Sequence, residues 1–77
     1  MRYYFHVRGP DGFVEDLEGA EFASDELAAV EAQAAARELM AAKVAKGEVV
    51  DGGQFEITTE NGKIIDTILF KSVVKID

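Results

Sequence analysis

The stretch FEITTENGKIIDTILF, Phe55 to Phe70, constrains the fold more than any other part of the chain. Asn61-Gly62 stands between two apolar runs, and a two-residue type I′ turn needs φ > 0 at both central positions, which Asn and Gly tolerate best. Closing the turn there sets Glu60 across from Lys63, Thr59 from Ile64, Ile57 from Asp66 and Phe55 from Ile68. Side chains alternate across a strand, so Phe55, Ile57, Ile64, Ile68 and Phe70 share one face while Ile65 and Leu69 share the other. A hairpin that is apolar on both sides needs two covers.

The N-terminus supplies more strand. RYYFHVR, Arg2 to Arg8, alternates Tyr3, Phe5 and Val7 against Tyr4, His6 and Arg8 and is rich in aromatic and β-branched residues. GPDG then turns the chain: Pro10 pre-sets φ, Asp11 follows, and Gly12 accepts the left-handed conformation of a three-residue loop. Phe13 to Leu17 returns as a second strand. Closing Gly9 against Phe13 sets Val7 across from Glu15, Phe5 from Leu17 and His6 from Asp16.

One helix is expected from about Asp25 to Lys46. Ser24 is its N-cap, Asp25 and Glu26 sit at the positive end of its dipole, the interior is alanine-rich, and Gly47 stands where a left-handed C′ residue is wanted. Ala28, Ala32, Ala35, Ala36 and Leu39 fall on one side at helical spacing, with Met40 at the margin. Leu27 and Val44 are expected to clip the two ends to the core, GEVVDGG is a loop, and KSVVKID extends the last strand. The result is a single α+β domain over residues 1–77: ββαββ, a four-stranded antiparallel sheet from two hairpins with the helix on one face.

That helix covers one face of the sheet only. Opposite it the alternation places Tyr4, His6, Arg8, Val14, Asp16, Glu56, Thr58, Ile65, Thr67 and Leu69. Tyr4, Val14, Ile65 and Leu69 are the large apolar members, and as a cluster they form a candidate self-association face. Size favours the same expectation. A chain of 77 residues buries a small core, and with no Cys and one His it lacks disulfides, thiolate zinc and a His-rich metal site, leaving a homodimer as the remaining supplement.

Charge narrows the partners. The formal net charge is −7, which opposes a nucleic-acid surface because binding there depends on neutralising phosphates. No Lys or Arg lies between Gly9 and Ala36, whereas Asp11, Glu15, Asp16, Glu18, Glu21, Asp25, Glu26 and Glu31 all do. Glu15, Asp16, Glu18 and Glu21 form a candidate landing surface for a protein partner with a basic face. Residues 1–20 lack a signal peptide's apolar core, no run reaches the ~20 apolar residues of a membrane helix, and Cys-free composition fits a reducing compartment. A cytoplasmic protein without membrane contact is expected.

No catalytic, cofactor or metal constellation is found, so the chain is expected not to be an enzyme. His6 is the single side chain that ordinarily titrates near neutrality, and the register above sets it beside Asp16. A lone strand His beside a carboxylate reads as a cross-strand polar pair. Ser24 and Ser72 have no His nearby in sequence, Gly9, Gly12 and Gly52-Gly53 are turn glycines that open no helix, and the DGFVEDLEGAE stretch lacks the alternate oxygen ligands of a calcium loop.

YYFHVRGPDG, the LEG that follows an acidic strand, the alanine helix ending Arg37-Glu38-Leu39, and Phe55 through Gly62 to Phe70 together resemble a family of short bacterial proteins catalogued only as a domain of unknown function. That resemblance covers nearly the whole chain and implies a fold without an activity. The first 40 or so residues also resemble HicB-like antitoxins: Asp11-Gly12, Asp16-Leu17-Glu18-Gly19 and Ser24-Asp25-Glu26 follow their course, with Glu18 and Ala20 where those proteins carry Pro and Cys. This second resemblance implies that the acidic surface would mask a basic ribonuclease toxin.

Overall fold

A computed structural model of the protein describes residues 1–10, 12–48 and 52–74. The elements are β1 (Arg2–Gly9), β2 (Gly12–Val14), β3 (Ala20–Glu21), α1 (Asp25–Ala45), β4 (Gln54–Thr59), β5 (Ile64–Leu69) and a short α2 (Phe70–Val73). The α+β class and the single long helix match expectation. The sheet has five strands instead of four, in the order β2-β1-β4-β5 with β3 beside β1, and every pairing is antiparallel.

The extra strand arises because the second strand is broken. β2 stops at Val14, short of the expected Leu17, and the chain rejoins β1 as β3, where Ala20 pairs with Tyr3 and Glu21 with Arg2. Between the two, the Asp16 carboxylate accepts the Phe5 backbone N–H at 3.0 Å, standing in for a strand carbonyl. Leu17, expected opposite Phe5 in the core, is 80% exposed. Phe22 takes that place, stacking on Phe5 at 5.8 Å and tilting against Tyr3 at 6.0 Å.

Both hairpins close differently from the expected turns. In the first, Gly9 pairs with Gly12 and Arg8 with Phe13, one residue tighter than a Gly9–Phe13 closure. The shift sends Phe13 to the outer face, where its ring meets His6 at 5.4 Å and lies under the Arg8 guanidinium at 4.6 Å. Val14 moves with it to the helix side, opposite Val7. Asp11, in the turn, lies outside the described residues.

In the second hairpin only Gly62 takes positive φ, so the turn is not type I′. The Gly62 N–H donates to the Thr59 carbonyl and the Thr59 N–H to the Lys63 carbonyl, both at 3.0 Å. Three residues span the gap: a β-turn through Glu60 and Asn61, then a left-handed glycine. Such a closure leaves one strand a residue long, and the surplus is absorbed between the Thr58–Ile64 and Ile57–Asp66 pairs. Ile65 is the unpaired member. Phe55–Ile68 and Ile57–Asp66 pair as expected, but Ile64 turns outward and is 55% exposed while Ile65 packs against the core.

The helix follows its sequence signals closely. Ser24 Oγ accepts the Leu27 N–H, and Gly47 closes the C-terminus at φ +76 with Gly47 N–H to Val44 carbonyl and Glu48 N–H to Lys43 carbonyl bonds. Ala28, Ala32, Ala36 and Met40, four residues apart, are its buried line. Met40 therefore belongs to the core outright. Leu27 and Val44 fall off that line and are more than half exposed, so they clip nothing. Small alanines bring the helix backbone down onto β4, β5 and α2, where Tyr3, Phe55, Ile57, Ile68 and Phe70 complete the core.

The last strand ends earlier than expected. The Phe70 N–H donates to the Gly53 carbonyl, its ring stands edge-on to Phe55 at 5.0 Å, and Ser72 Oγ–H donates back to the Leu69 carbonyl, coiling Phe70–Val73 into α2. Residues 75–77, and Val49–Asp51 of the expected loop, lie outside the described residues.

Candidate functional site

The outer face of the sheet carries the concentration of polar side chains. β1 alternation sends Tyr4, His6 and Arg8 outward, and β4 sends Thr58, Glu56 and Gln54 to meet them in register. Glu56 is 9% exposed despite its charge. Its carboxylate accepts from Arg8 Nε at 2.5 Å, Arg8 Nη2 at 3.4 Å and Gln54 Nε2 at 2.9 Å. The Arg8 guanidinium holds the Glu56 carboxyl below its ordinary range against the opposing effect of burial, with Gln54 assisting, and Glu56 in turn raises Arg8.

His6 occupies the centre. Its Nδ1 accepts the Asp16 backbone N–H at 3.0 Å, which leaves the ring proton on Nε2, 3.1 Å from Thr58 Oγ1. Tyr4 lies parallel to the imidazole at 6.1 Å and Phe13 tilts over it. Asp16 thus meets His6 as expected, but through its main chain. Its carboxylate binds the N–H groups of Phe5, Glu18 and Gly19. Burial works to raise the Asp16 carboxyl, and those three donors, with His6 nearby, outweigh it and hold the group below its ordinary range.

The candidate residues named from sequence separate accordingly. Of the proposed self-association face, Tyr4 and Leu69 lie on the outer side, with Leu69 42% exposed. Val14 and Ile65 do not. The one-residue shifts in the two hairpins replace them with Phe13 and Ile64, so the outer face keeps an aromatic or aliphatic residue near each corner around the polar centre. Val14 instead borders an open groove with Val7, Leu39, Met40 and Phe70.

Of the acidic surface, Glu15, Glu18 and Glu21 are exposed, while the Asp16 carboxylate is spent on backbone donors. Glu21 also faces the Met1 ammonium at 3.2 Å and Arg2 at 3.8 Å.

Sequence reasoning set Arg8, Glu56 and Thr58 on the face of His6 but missed the pairing that joins them into one cluster, and it missed Phe13. The missed step is the adjacency of β1 and β4, which are distant in sequence. One signal did point to it: a Glu inside the apolar run FEIT needs a cation once that run is buried, and Arg8 ends the other central strand. Chemically, the cluster is closed on itself. Both His6 ring nitrogens and both Glu56 oxygens are engaged within it.

Among the described residues no helix is long and apolar enough to cross a membrane, and no three His, Cys, Asp or Glu side chains gather as metal ligands. Residues 2–71 match the family described as Domain of unknown function (DUF6894). The chain belongs to that family. The DUF6894 match spans the whole sheet, the long helix and the His6 cluster, in agreement with the near full-length resemblance read from sequence. No curated protein and no solved structure matches the chain, and none of these comparisons shows the antitoxin likeness.

Proposed function

We propose that this DUF6894 protein is a noncatalytic interaction module that self-associates through the outer face of its sheet. The supporting observation is the bulge in β5, which brings Ile64 onto the face of Leu69, with only Thr67 between them on that face of the edge strand. Phe13, 44% exposed, extends the apolar surface on the far side of the His6 cluster. Exposed apolar residues gathered on one face are characteristic of association surfaces. A second copy presenting the same face would cover both sets by two-fold symmetry.

The acidic edge is ill suited to the same contact, since like charges would oppose each other there. Sedimentation velocity at micromolar concentration is the test: a dimer is expected for the wild type and a monomer for the Ile64→Lys/Leu69→Lys double variant with unchanged circular dichroism. A monomeric wild type would refute the reading.

A second reading is an antitoxin-like inhibitor of a basic ribonuclease, favoured by the exposure of Glu15, Glu18 and Glu21 along one edge. It requires no outer-face dimer. Charge reversal at those three positions would abolish inhibition of a genetically adjacent nuclease while leaving sedimentation unchanged, and the lack of such a nuclease neighbour would remove it.

A further inference from the structure

We infer that His6 and Asp16 form a proton-operated clasp that fastens the Glu15–Gly19 segment to the middle of β1, and that protonation of the imidazole releases its first half. The edge of β1 is closed by strand on both sides of this point: β2 pairs with Val7–Gly9 and β3 with Arg2–Tyr3. Among the described residues no strand covers Phe5 and His6 on this edge. Asp16 bridges that interval, giving its backbone N–H to His6 Nδ1 and taking the Phe5 N–H on its carboxylate. Arg2 Nη1 adds one bond to the Glu18 carbonyl further along.

The first of these bonds exists only while Nδ1 carries a lone pair. A proton on Nδ1 turns the acceptor into a donor aimed at another donor, and the Asp16 N–H must leave. The ring cannot escape by exchanging tautomers, because protonation occupies both nitrogens. Thr58 Oγ1 keeps Nε2 in place, while Tyr4 and Phe13 restrict the ring's tilt.

The charged groups facing His6 are Glu56 directly across on β4, Arg8 beside it on β1, and the Asp16 carboxylate from the segment itself. The second half of the clasp, Asp16 carboxylate to Phe5 N–H, does not depend on the imidazole, and its backbone donors hold that carboxyl below its ordinary range. Release is therefore stepwise: first Asp16 N–H, and the carboxylate only in strong acid. Between the steps Glu15, Leu17 and Glu18 hang from fewer anchors, so protonating His6 loosens the acidic edge without unfolding the sheet.

The test is amide hydrogen exchange on the intact chain between pH 8 and pH 5, corrected for the intrinsic pH dependence, with the His6 imidazole nitrogens followed in parallel. Asp16 protection is expected to fall about five- to tenfold as His6 titrates, the order of one hydrogen bond, while Phe5 protection stays constant. His6→Asn places an amide oxygen near the position of Nδ1 and cannot titrate, so its Asp16 protection should be flat across the range. The wild-type titration decides alone if that variant does not fold. Asp16 protection that ignores His6 titration, a His6 ring that stays neutral at pH 5, or an equal step in folded His6→Asn would overturn the clasp.

Discussion

Gly19 lies against Tyr3 so closely that a Cβ on the glycine would stand 2.7 Å from the Tyr3 carbonyl oxygen and 2.9 Å from the Tyr4 ring. The glycine also sits at φ +69. Backbone on both sides of that contact cannot give way cheaply, because Tyr3 is paired to Ala20 on one side and Thr59 on the other. Gly19→Ala is expected to cost at least about 2 kcal/mol, adding steric conflict to the left-handed penalty. Gly62 has φ +82 but open space where its Cβ would be. Gly62→Ala should cost only about 1 kcal/mol, and Gly62→Val distinctly more, since a β-branched residue tolerates positive φ least. Urea denaturation of the three variants orders them, and Gly19→Ala as mild as Gly62→Ala would contradict the close approach.

Ile64 and Ile65 provide a sharper probe of the second hairpin. With the surplus residue taken up at Ile65, Ile65→Ala should lose about 1–2 kcal/mol of buried aliphatic contact. Ile64→Ala should stay within about 0.5 kcal/mol in the monomer. The type I′ closure expected from Asn61-Gly62 implies the reverse order, because there Ile64 faces the helix. Paired thermal melts at low protein concentration separate the two.

That contrast marks where the sequence was legible. Alternation alone specified that β5 has two apolar faces, and the helix ends at Ser24 and Gly47 were readable because caps are local chemistry. The turn was not readable to one residue. Asn-Gly serves both a two-residue loop and a three-residue loop with a left-handed glycine, and one residue exchanges the faces of Ile64 and Ile65. In the first hairpin the exchange of Val14 for Phe13 has the same origin. The His6 cluster was half visible: Asp16 was placed beside the ring, but Arg8, Glu56 and Thr58 depend on β1 and β4 being neighbours, which no local pattern encodes.

Acid should weaken the fold in a direction that the Asp16 and Glu56 environments determine. Both carboxyls sit below their ordinary range in the folded protein. The unfolded chain therefore binds protons first, at roughly pH 4, and takes up more of them than the fold does. The stabilisation from each group is complete above its unfolded value and is lost as pH falls through its folded one. Chemical denaturation from pH 7 to pH 2 should show the contribution of these two carboxyls declining from about pH 5. Asp16→Asn should be less stable than wild type at pH 7 and lose less on acidification, because its amide has no proton to gain. An unchanged acid profile in that variant would show that Asp16 contributes nothing to the linkage.

Alanine at the helix–sheet contact is as much a constraint as any large residue. Ala28, Ala32 and Ala36 have no exposed surface, so the helix backbone itself rests near Ile57 and Ile68. Enlarging the middle one leaves the helix nowhere to go without lifting its whole buried line. Ala32→Leu, a change that raises hydrophobicity and costs little in helix propensity, is expected to destabilise by about 1–3 kcal/mol through overpacking. Leu27→Ala, which removes a larger apolar side chain from the same helix, should change stability by no more than about 0.5 kcal/mol, because that side chain is more than half in water. Guanidinium titrations of both variants test the packing directly. A neutral Ala32→Leu would mean that the helix stands further from the sheet than its alanine line implies.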